Sequence, residues 1–290
     1  DRLGIVEEHR RLFSRLLDIL AEAGDLDRAG EIWQVRRRLA PVENPADLRE
    51  IAPAAALPEV EMLLRAGAGL SDALCGRTDP LELLFPGGDT SSAEALYGEV
   101  PTSVYFNSLI AEILSGMADA GRPLRVLEIG GGTGGTTARV IERLPPGTRY
   151  LFTDIGPSFV ERARNRFGHR EGMDFQVLDL EQELVDQGVD PHAFDVVIGA
   201  NVVHATSDLA ATLARVRRVI APGGRLVMLE VTSPRRWFDL TVGLTSGWWA
   251  YTDTDLRRDG PLLDRQAWLD LLRQAGFTAP EALDGDPDLP

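Results

Sequence analysis

The chain has 290 residues, 44% hydrophobic and 26% charged, which is the composition of a folded globular protein with a sizeable core. Its formal net charge of −15 argues against a nucleic-acid partner, which needs clustered basic residues, and gives no reason to expect a membrane surface. A single cysteine, Cys75, excludes an internal disulfide and fits a cytoplasmic protein. The sequence starts without Met and without a signal peptide, which suggests a segment of a longer polypeptide.

The first part of the sequence is rich in helical patterns, and we predict a helical N-terminal subdomain over 1–120. Apolar residues recur at helical spacing over 5–39, where glycines interrupt the pattern, and this favours one or two amphipathic helices. A Pro- and Ala-rich connection follows over 41–56. Further helices are predicted over 58–75 and 102–119.

From Pro123 onward, short apolar strands alternate with helical segments. The predicted strands are LRVLEIG, RYLFTDI, DFQVLDL, AFDVVIGANV and GRLVMLEVT. Strands that are apolar throughout and alternate with helices are typical of an α/β protein with a mostly parallel sheet covered on both faces. We therefore predict a Rossmann-like domain over 121–290, whose ligands bind at the carboxyl ends of the strands.

The first of these strands ends in a glycine-rich turn, EIGGGTGG, over 128–135. Without Cβ atoms the backbone can turn tightly and lie against a ligand, so Gly130, Gly132 and Gly134 are candidate cofactor contacts. Gly130, Gly132 and Gly135 also fit the G-x-G-x-x-G pattern of a dinucleotide site. The glycines alone therefore leave a nicotinamide cofactor open.

Three acidic side chains near successive strand ends favour S-adenosylmethionine. Glu128 lies two residues before the first glycine, where a carboxylate can meet the ammonium of an amino-acid cofactor but would repel a pyrophosphate. Asp154 ends the second strand, where an acidic side chain hydrogen-bonds ribose hydroxyls. Asp179 ends the third strand, where a carboxylate can accept from an adenine amino group. The further candidate cofactor contacts are Ile155, Leu180 and Asn201.

The sequence resembles the C-methyltransferase domains of modular polyketide synthases, a branch of the class I methyltransferases. The segments that carry the resemblance are RPLRVLEIGGGTGGTT, FTDIGPSF, ANVVHAT and GLTSGWW, with DPLELLFP and AEALYGEVP upstream. The resemblance implies methyl transfer from S-adenosylmethionine, which leaves as S-adenosylhomocysteine, to the α-carbon of a β-ketoacyl chain. It implies as partners an acyl carrier protein, which holds that chain on phosphopantetheine, and the neighbouring synthase domains.

Carbon methylation needs a base and a means of stabilising the developing oxyanion. His204 lies just past the fourth strand and Glu230 ends the fifth, so adjacent strand ends can bring imidazole and carboxylate together. A carboxylate on one ring nitrogen fixes the tautomer and raises the basicity of the other. We therefore predict His204 as the general base and Glu230 as the residue that orients it, and the resemblance supports the same pair. No set of histidines and cysteine has metal-ligand spacing, so no metal is predicted.

An aromatic-rich segment over 233–263 separates the fifth strand from the last helix. It is either a lid over an acyl chain or a hydrophobic cluster that fastens the insertion to the sheet. Trp248 and Trp249 in this segment are candidate substrate contacts, and its arginine pairs, 235–236 and 257–258, are candidate contacts for a carrier protein or a phosphopantetheine phosphate. The other candidate substrate contacts are Tyr105 and Asn107.

The tail TAPEALDGDPDLP, after the last helix, is too acidic and Pro-rich for the final apolar strand of a class I methyltransferase. We therefore expect a sheet of six strands with an open edge. Two other functions stay open beside carbon methylation. One is an O-methyltransferase for a carrier-bound hydroxyl or enol, and the other is a non-catalytic domain that spaces its neighbours in the synthase.

Overall fold

The computed structural model describes residues 3–30, 32–37, 44–88, 91–118, 123–258 and 260–283. Residues 119–122 and the end of the acidic tail lie outside these ranges. Within them, no helix combines the length and the apolar character that crossing a membrane requires.

The described chain contains seven strands and eleven α-helices, with short 3-10 turns between them. The helices are α1 (Arg10–Glu22), α2 (Leu48–Ile51), α3 (Leu57–Leu74), α4 (Pro80–Leu84), α5 (Ser91–Gly98), α6 (Pro101–Met117), α7 (Gly135–Val140), α8 (Pro157–Phe167), α9 (Leu209–Val219), α10 (Arg236–Leu240) and α11 (Arg265–Gln274). The strands are β1 (Leu26–Ala29), β2 (Ile32–Val35), β3 (Arg125–Ile129), β4 (Arg149–Asp154), β5 (Met173–Val177), β6 (Phe194–Ala200) and β7 (Ile220–Leu229).

These elements form two compact units. The first unit comprises Asp1–Ser92 and Pro234–Ala250, and the second comprises Ala93–Ser233 and Tyr251–Pro290. The first unit is mainly helical, and its core includes the buried Leu12 of α1 and Leu244 of the insertion. Sequence ranges 1–120 and 121–290 therefore do not coincide with the structural units. The difference arises because α6 packs against the sheet, while 234–250 completes the helical core.

The segment after α1 corrects the prediction of one or two amphipathic helices over 5–39. The helix ends at Glu22, and β1 and β2 then pair as an antiparallel hairpin. Gly24 and Gly30 have φ angles of 78° and 66°, the left-handed conformation that ends helices and allows tight turns. The glycines that interrupt the helical pattern thus mark the change from helix to hairpin.

The second unit is built on a parallel sheet of order β5–β4–β3–β6–β7. Side chains of β3 alternate between two buried clusters. Leu127 and Ile129 pack with residues of α9 and α11, whereas Val126 packs with residues of α6, α7 and α8 on the other face. The predicted α/β class, a parallel sheet with helices on both faces and a mainly helical N-terminal region, is confirmed.

Aspartate N-caps fix the residues at which α9 and α11 begin. Asp208 accepts a hydrogen bond from the backbone N–H of Ala211 at the start of α9, at 2.9 Å, and Asp264 accepts one from Ala267 at the start of α11, at 2.8 Å. Each carboxylate satisfies a backbone donor that has no partner within the helix. These caps set the ends of the loops that follow β6 and the insertion.

The prediction of six strands is wrong for the residues that the structure describes, where the parallel sheet has five. Residues 278–283 after α11 form no strand, and Ala279 there has a φ of 48°, which is incompatible with extended pairing. The last strand also begins earlier than predicted. Ile220 already pairs with Phe194, and a register shift lets the strand continue through the Ala-Pro-Gly-Gly segment.

Candidate active site

The glycine-rich turn connects β3 with α7 at the carboxyl edge of the sheet. Gly130, Gly132 and Gly134 have φ angles of 60°, 53° and 76°, a region that strains any residue with a Cβ. The N–H of Gly131 donates to the carbonyl of Thr153, at 2.9 Å. A Cβ on Gly131 would lie 2.1 Å from the ring of Phe152, which leaves room only for glycine.

Glu128 is buried at the end of β3. Its Oε2 accepts hydrogen bonds from the hydroxyls of Thr137, at 2.5 Å, and Tyr150, at 2.8 Å. Burial raises the pKa of the Glu128 carboxyl to about 7, the two hydrogen bonds oppose this rise, and the charge of Asp154 adds to it. Both hydrogen bonds go to Oε2, so Oε1 is the oxygen that can meet a cation.

A cavity of about 210 Å³ lies in front of Glu128. The glycine turn, the ends of β6 and β7, and α5 and α6 line this cavity. Its lining residues include Tyr97, Ser103, Asn107, Glu128, Gly130, Gly132, Thr136, Asn201 and Leu229. Asn107 is buried, donates to the carbonyl of Tyr97 at 2.9 Å, and accepts from the hydroxyl of Thr136 at 2.8 Å. The amide of Asn107 thus ties α5 to the start of α7.

Asp154 closes the other side of the glycine turn. One carboxylate oxygen accepts from the N–H of Gly132, at 2.9 Å, and the other from the N–H of Gly156, at 2.8 Å. Burial raises the pKa of the Asp154 carboxyl, and these two hydrogen bonds oppose the rise. Ile155 beside it is 65% exposed, so an apolar side chain stands at the rim next to an acceptor.

The remaining predicted cofactor contacts are placed unequally. Asp179 is half-buried and its Oδ1 accepts from the N–H of Glu181, which is the arrangement of a turn cap. The side chain of Leu180 packs in a hydrophobic cluster of the second unit. Asn201 lines the same cavity as Glu128 and holds a φ of 52°, while its Oδ1 accepts from the N–H of Val231 at 3.1 Å. The described lining of that cavity therefore contains Asn201 but neither Asp179 nor Leu180.

The structure brings His204 and Glu230 into contact. Nδ1 of His204 lies 2.6 Å from Oε2 of Glu230, and both side chains are almost fully buried. Oε1 of Glu230 accepts from the N–H groups of Val203, at 2.8 Å, and Val202, at 3.3 Å. Because backbone donors hold the carboxylate, it favours the tautomer with the proton on Nδ1 and the lone pair on Nε2.

The candidate substrate contacts lie in both units. Tyr105, in the second unit, packs edge-on against Phe106 with ring centroids 5.1 Å apart. In the first unit, Trp249 donates to the carbonyl of Gly243 at 2.7 Å, and Trp248 packs beside Phe238. These contacts are those of a hydrophobic cluster, and the interpretation of 233–263 as a lid stays a prediction.

One predicted docking residue needs correction. Arg257 is 1% exposed, so its guanidinium does not present a charge to a carrier protein. Arg258 beside it is exposed and donates to the carbonyl of Asp255. The sequence pair looked like a surface charge, whereas only its second member is one.

The sequence did not reveal the side chains that hydrogen-bond to Glu128 and to the segment after His204. Thr137 and Tyr150 bind Glu128, and Glu181 accepts from both the N–H and the hydroxyl of Ser207, three residues after His204. For the contacts of Glu128, the available signal was Tyr150, a residue with a polar hydroxyl in the buried part of β4. In the described ranges, no group of three or more His, Cys, Asp and Glu residues is arranged to hold a metal ion.

Comparison with known proteins gives the site a family context. Residues 127–226 match a methyltransferase-domain family. The polyketide synthase ThaG of Burkholderia thailandensis is 37% identical over 95% of this chain, which spans 5% of ThaG. The crystal structure of the CurJ carbon methyltransferase is 40% identical with a TM-score of 0.89, covering 97% of this chain and 77% of that one. The trans-methyltransferase CalH, solved in complex with SAH, is 34% identical with a TM-score of 0.69, covering 80% of this chain and 64% of CalH.

Proposed function

This chain belongs to the C-methyltransferase domains of polyketide synthases, and from that premise we propose that it methylates the α-carbon of a β-ketoacyl chain on an acyl carrier protein. The observation that carries the proposal is the buried contact between His204 and Glu230, which follow β6 and β7; β6 is the neighbour of β3, the strand that leads into the glycine turn. A base at this edge is needed for carbon methylation, because the nucleophile is made only by removing a proton from carbon.

The residues around the glycine turn fit S-adenosylmethionine, whose product is S-adenosylhomocysteine. Oε1 of Glu128 is the acceptor for the ammonium of the amino-acid part, and the turn glycines let that part approach the backbone. Asp154 and the exposed Ile155 serve the ribose and the adenine. Bound there, the cofactor supplies an electrophilic methyl group on a sulfonium. Asn201, Asp179 and Leu180 stay predictions as cofactor contacts.

His204 acts on the substrate as the general base. Its Nε2 takes the α-proton, and the electron pair of the broken C–H bond passes into the enolate that the ketone and the thioester stabilise together. With the cofactor bound, that carbon would take the methyl group as the carbon–sulfur bond breaks, and the electron pair of that bond would leave with S-adenosylhomocysteine. The carboxylate of Glu230 holds Nδ1–H throughout and stabilises the imidazolium that forms. Tyr105, Asn107, Trp248 and Trp249 stay candidate substrate contacts.

The proposal is tested with acetoacetyl carrier protein and S-adenosylmethionine, read by intact-protein mass. We expect a gain of one methylene unit, with fragmentation placing it on the α-carbon. In deuterium oxide, the α-position should exchange faster with the protein than without it. A methyl group found on oxygen would support the O-methyltransferase instead, and cofactor binding without any transfer would support a non-catalytic domain.

Glu128→Gln should weaken S-adenosylmethionine binding by about 10- to 100-fold at pH 8, because a charge-assisted hydrogen bond contributes about 1.5–3 kcal/mol. In the unchanged protein, binding should strengthen as pH rises through about 7, where the Glu128 carboxyl ionises. The variant should lose this dependence. Calorimetry between about pH 6 and pH 8 measures both effects.

The unliganded protein should show the opposite trend in stability. Since the pKa of Glu128 is raised from 4.5 to about 7 by folding, the free energy of unfolding should fall as pH rises between those values. Glu128→Gln should lack that fall, whereas Glu171→Gln, at an exposed glutamate, should leave binding and stability unchanged. Equal cofactor affinity of Glu128→Gln and the unchanged protein at pH 8 would exclude Glu128 as the ammonium partner.

A further inference from the structure

Arg257 lies in the loop before α11, and its side chain is 0% exposed. Its Nε donates to Asp253 Oδ1, at 2.5 Å, and the guanidinium lies 4.9 Å from the ring centroid of Tyr251. The other donors reach backbone carbonyls on a distant part of the chain. Nη1 donates to the carbonyl of His204 at 2.8 Å, and Nη2 donates to those of Thr206 at 2.7 Å and Ser207 at 2.9 Å.

A buried guanidinium carries a desolvation cost of several kcal/mol, which is offset only by a counter-charge and a full set of acceptors. Asp253 supplies the counter-charge, and its Oδ2 also accepts from the N–H of Leu209, at 3.1 Å. Arg257 and Asp253 therefore hold residues 204–209 at both ends, Arg257 at the carbonyl of His204 and Asp253 at the N–H of Leu209, where α9 begins. The cation–π contact with Tyr251 adds a further attraction that offsets part of the desolvation cost.

We propose that Arg257 is the positioning residue of the general base. The hydrogen bond between His204 and Glu230 at 2.6 Å requires the main chain of His204 to stay at one place relative to the end of β7. Three carbonyls that point to one buried spot would repel each other without a planar donor between them. Arg257 supplies that donor set, and its catalytic consequence rests on the proposed role of His204.

Lysine at this position keeps the charge but not the geometry. An ammonium is a point charge on a flexible stem and cannot span several carbonyls and a carboxylate as a planar fork does. Arg257→Lys should therefore leave the segment folded but less well fixed. Arg257→Gln removes the charge as well, so its effects should be larger.

The matched control is Arg170→Lys. Arg170 also donates to a backbone carbonyl in the second unit, that of Ile141 at 3.1 Å, but within the described ranges none of its hydrogen bonds reaches residues 204–209. Each lysine variant removes a guanidinium that donates to a backbone carbonyl. The contact is buried for Arg257 and partly buried for Arg170. Only Arg257→Lys should affect the catalytic histidine.

The first readout is the imidazole of His204 in protein labelled with ¹⁵N-histidine, measured without substrate. The chain has four histidines, so the resonance is assigned by its loss in His204→Ala. The Nδ1 proton held by Glu230 should give a downfield signal. Arg257→Lys should broaden or shift that signal, and Arg170→Lys should leave it in place.

The second readout is kinetic. Arg257→Lys should lower kcat by about 10- to 100-fold, the size expected when a supporting contact of a reacting group is lost. The rate of α-deuterium exchange should fall in parallel, with cofactor Kd and KM for acetoacetyl carrier protein within about two-fold of the unchanged protein. Asp253→Asn keeps the shape of the cluster and should shift both readouts in the same direction, which provides an answer if the lysine variant does not fold.

The proposal would be overturned by an unchanged imidazole signal and exchange rate in folded Arg257→Lys. A loss of kcat that only matches the loss of folded protein would overturn it too, because that is the result of a purely structural role. Methyl transfer by His204→Ala would contradict the proposed general base instead. The imidazole signal is recorded without turnover, so the two failures are distinguishable.

Discussion

His204→Ala is expected to lower kcat for methyl transfer by about 10²- to 10⁴-fold, the contribution of a positioned general base. Alanine removes the only group that we assign to proton removal from the α-carbon. Binding of S-adenosylmethionine should persist, because Glu128 and Asp154 belong to β3 and β4 and the substitution leaves both strands unchanged. Single-turnover methylation, followed by intact-protein mass, measures the effect.

The rate of α-proton exchange distinguishes a role of His204 as the base from a role in substrate binding. In deuterium oxide, His204→Ala should stop the protein-dependent exchange of acetoacetyl carrier protein even when S-adenosylmethionine is left out. His169→Ala, in an exposed loop, should exchange at the original rate. Near-normal exchange by His204→Ala would show that another group removes the proton.

Glu230→Gln is expected to cost about 10³- to 10⁴-fold in kcat, comparable to the loss when the carboxylate behind a catalytic histidine becomes an amide. The carboxylate accepts on both sides, from Nδ1 of His204 and from the N–H groups of Val202 and Val203. An amide has one acceptor, so keeping the backbone contacts turns its NH₂ toward the imidazole. The ring proton then moves to Nε2, where the base needs a lone pair.

The same pair should show strong non-additivity. Once His204 is alanine, the orientation of an imidazole no longer matters, so Glu230→Gln should add little to the loss. Glu230→Asp keeps the charge and should retain more activity than Glu230→Gln. Losses that multiply in the double variant would mean that Glu230 acts on the substrate independently of His204.

The strands of the second unit were predictable because strands that are buried on both faces have nearly continuous apolar sequences. The edge of the sheet that carries the site followed from the same rule, and so did the contact between His204 and Glu230, because parallel neighbours end on one side. The hairpin at β1 and β2 was missed. Its strands are four residues each, too short for an alternating pattern to compete with the helical spacing before them.

The supporting contacts could not be predicted, because they depend on which strands are neighbours and in which register. Tyr150 reaches Glu128 because Val126 lies opposite it in the β3–β4 pair. Arg257 meets a carbonyl 53 positions away in the chain. An Arg-Arg pair in an acidic sequence is usually solvated, and nothing local marks the first arginine as buried.

The first unit is formed by two segments, Asp1–Ser92 and Pro234–Ala250, which are separated in the sequence and so are synthesised at different times. Leu244, which is fully buried with Leu12 and Ala66, is made long after the helices that surround it. At translation rates of about 5–20 residues per second, residues 93–233 take roughly 7 to 30 s to emerge. During this interval α1 and α3 lack part of their core and expose apolar surface to chaperones. The sheet unit is similarly unfinished until α11 emerges, so both units reach completion only near the end of this stretch of chain.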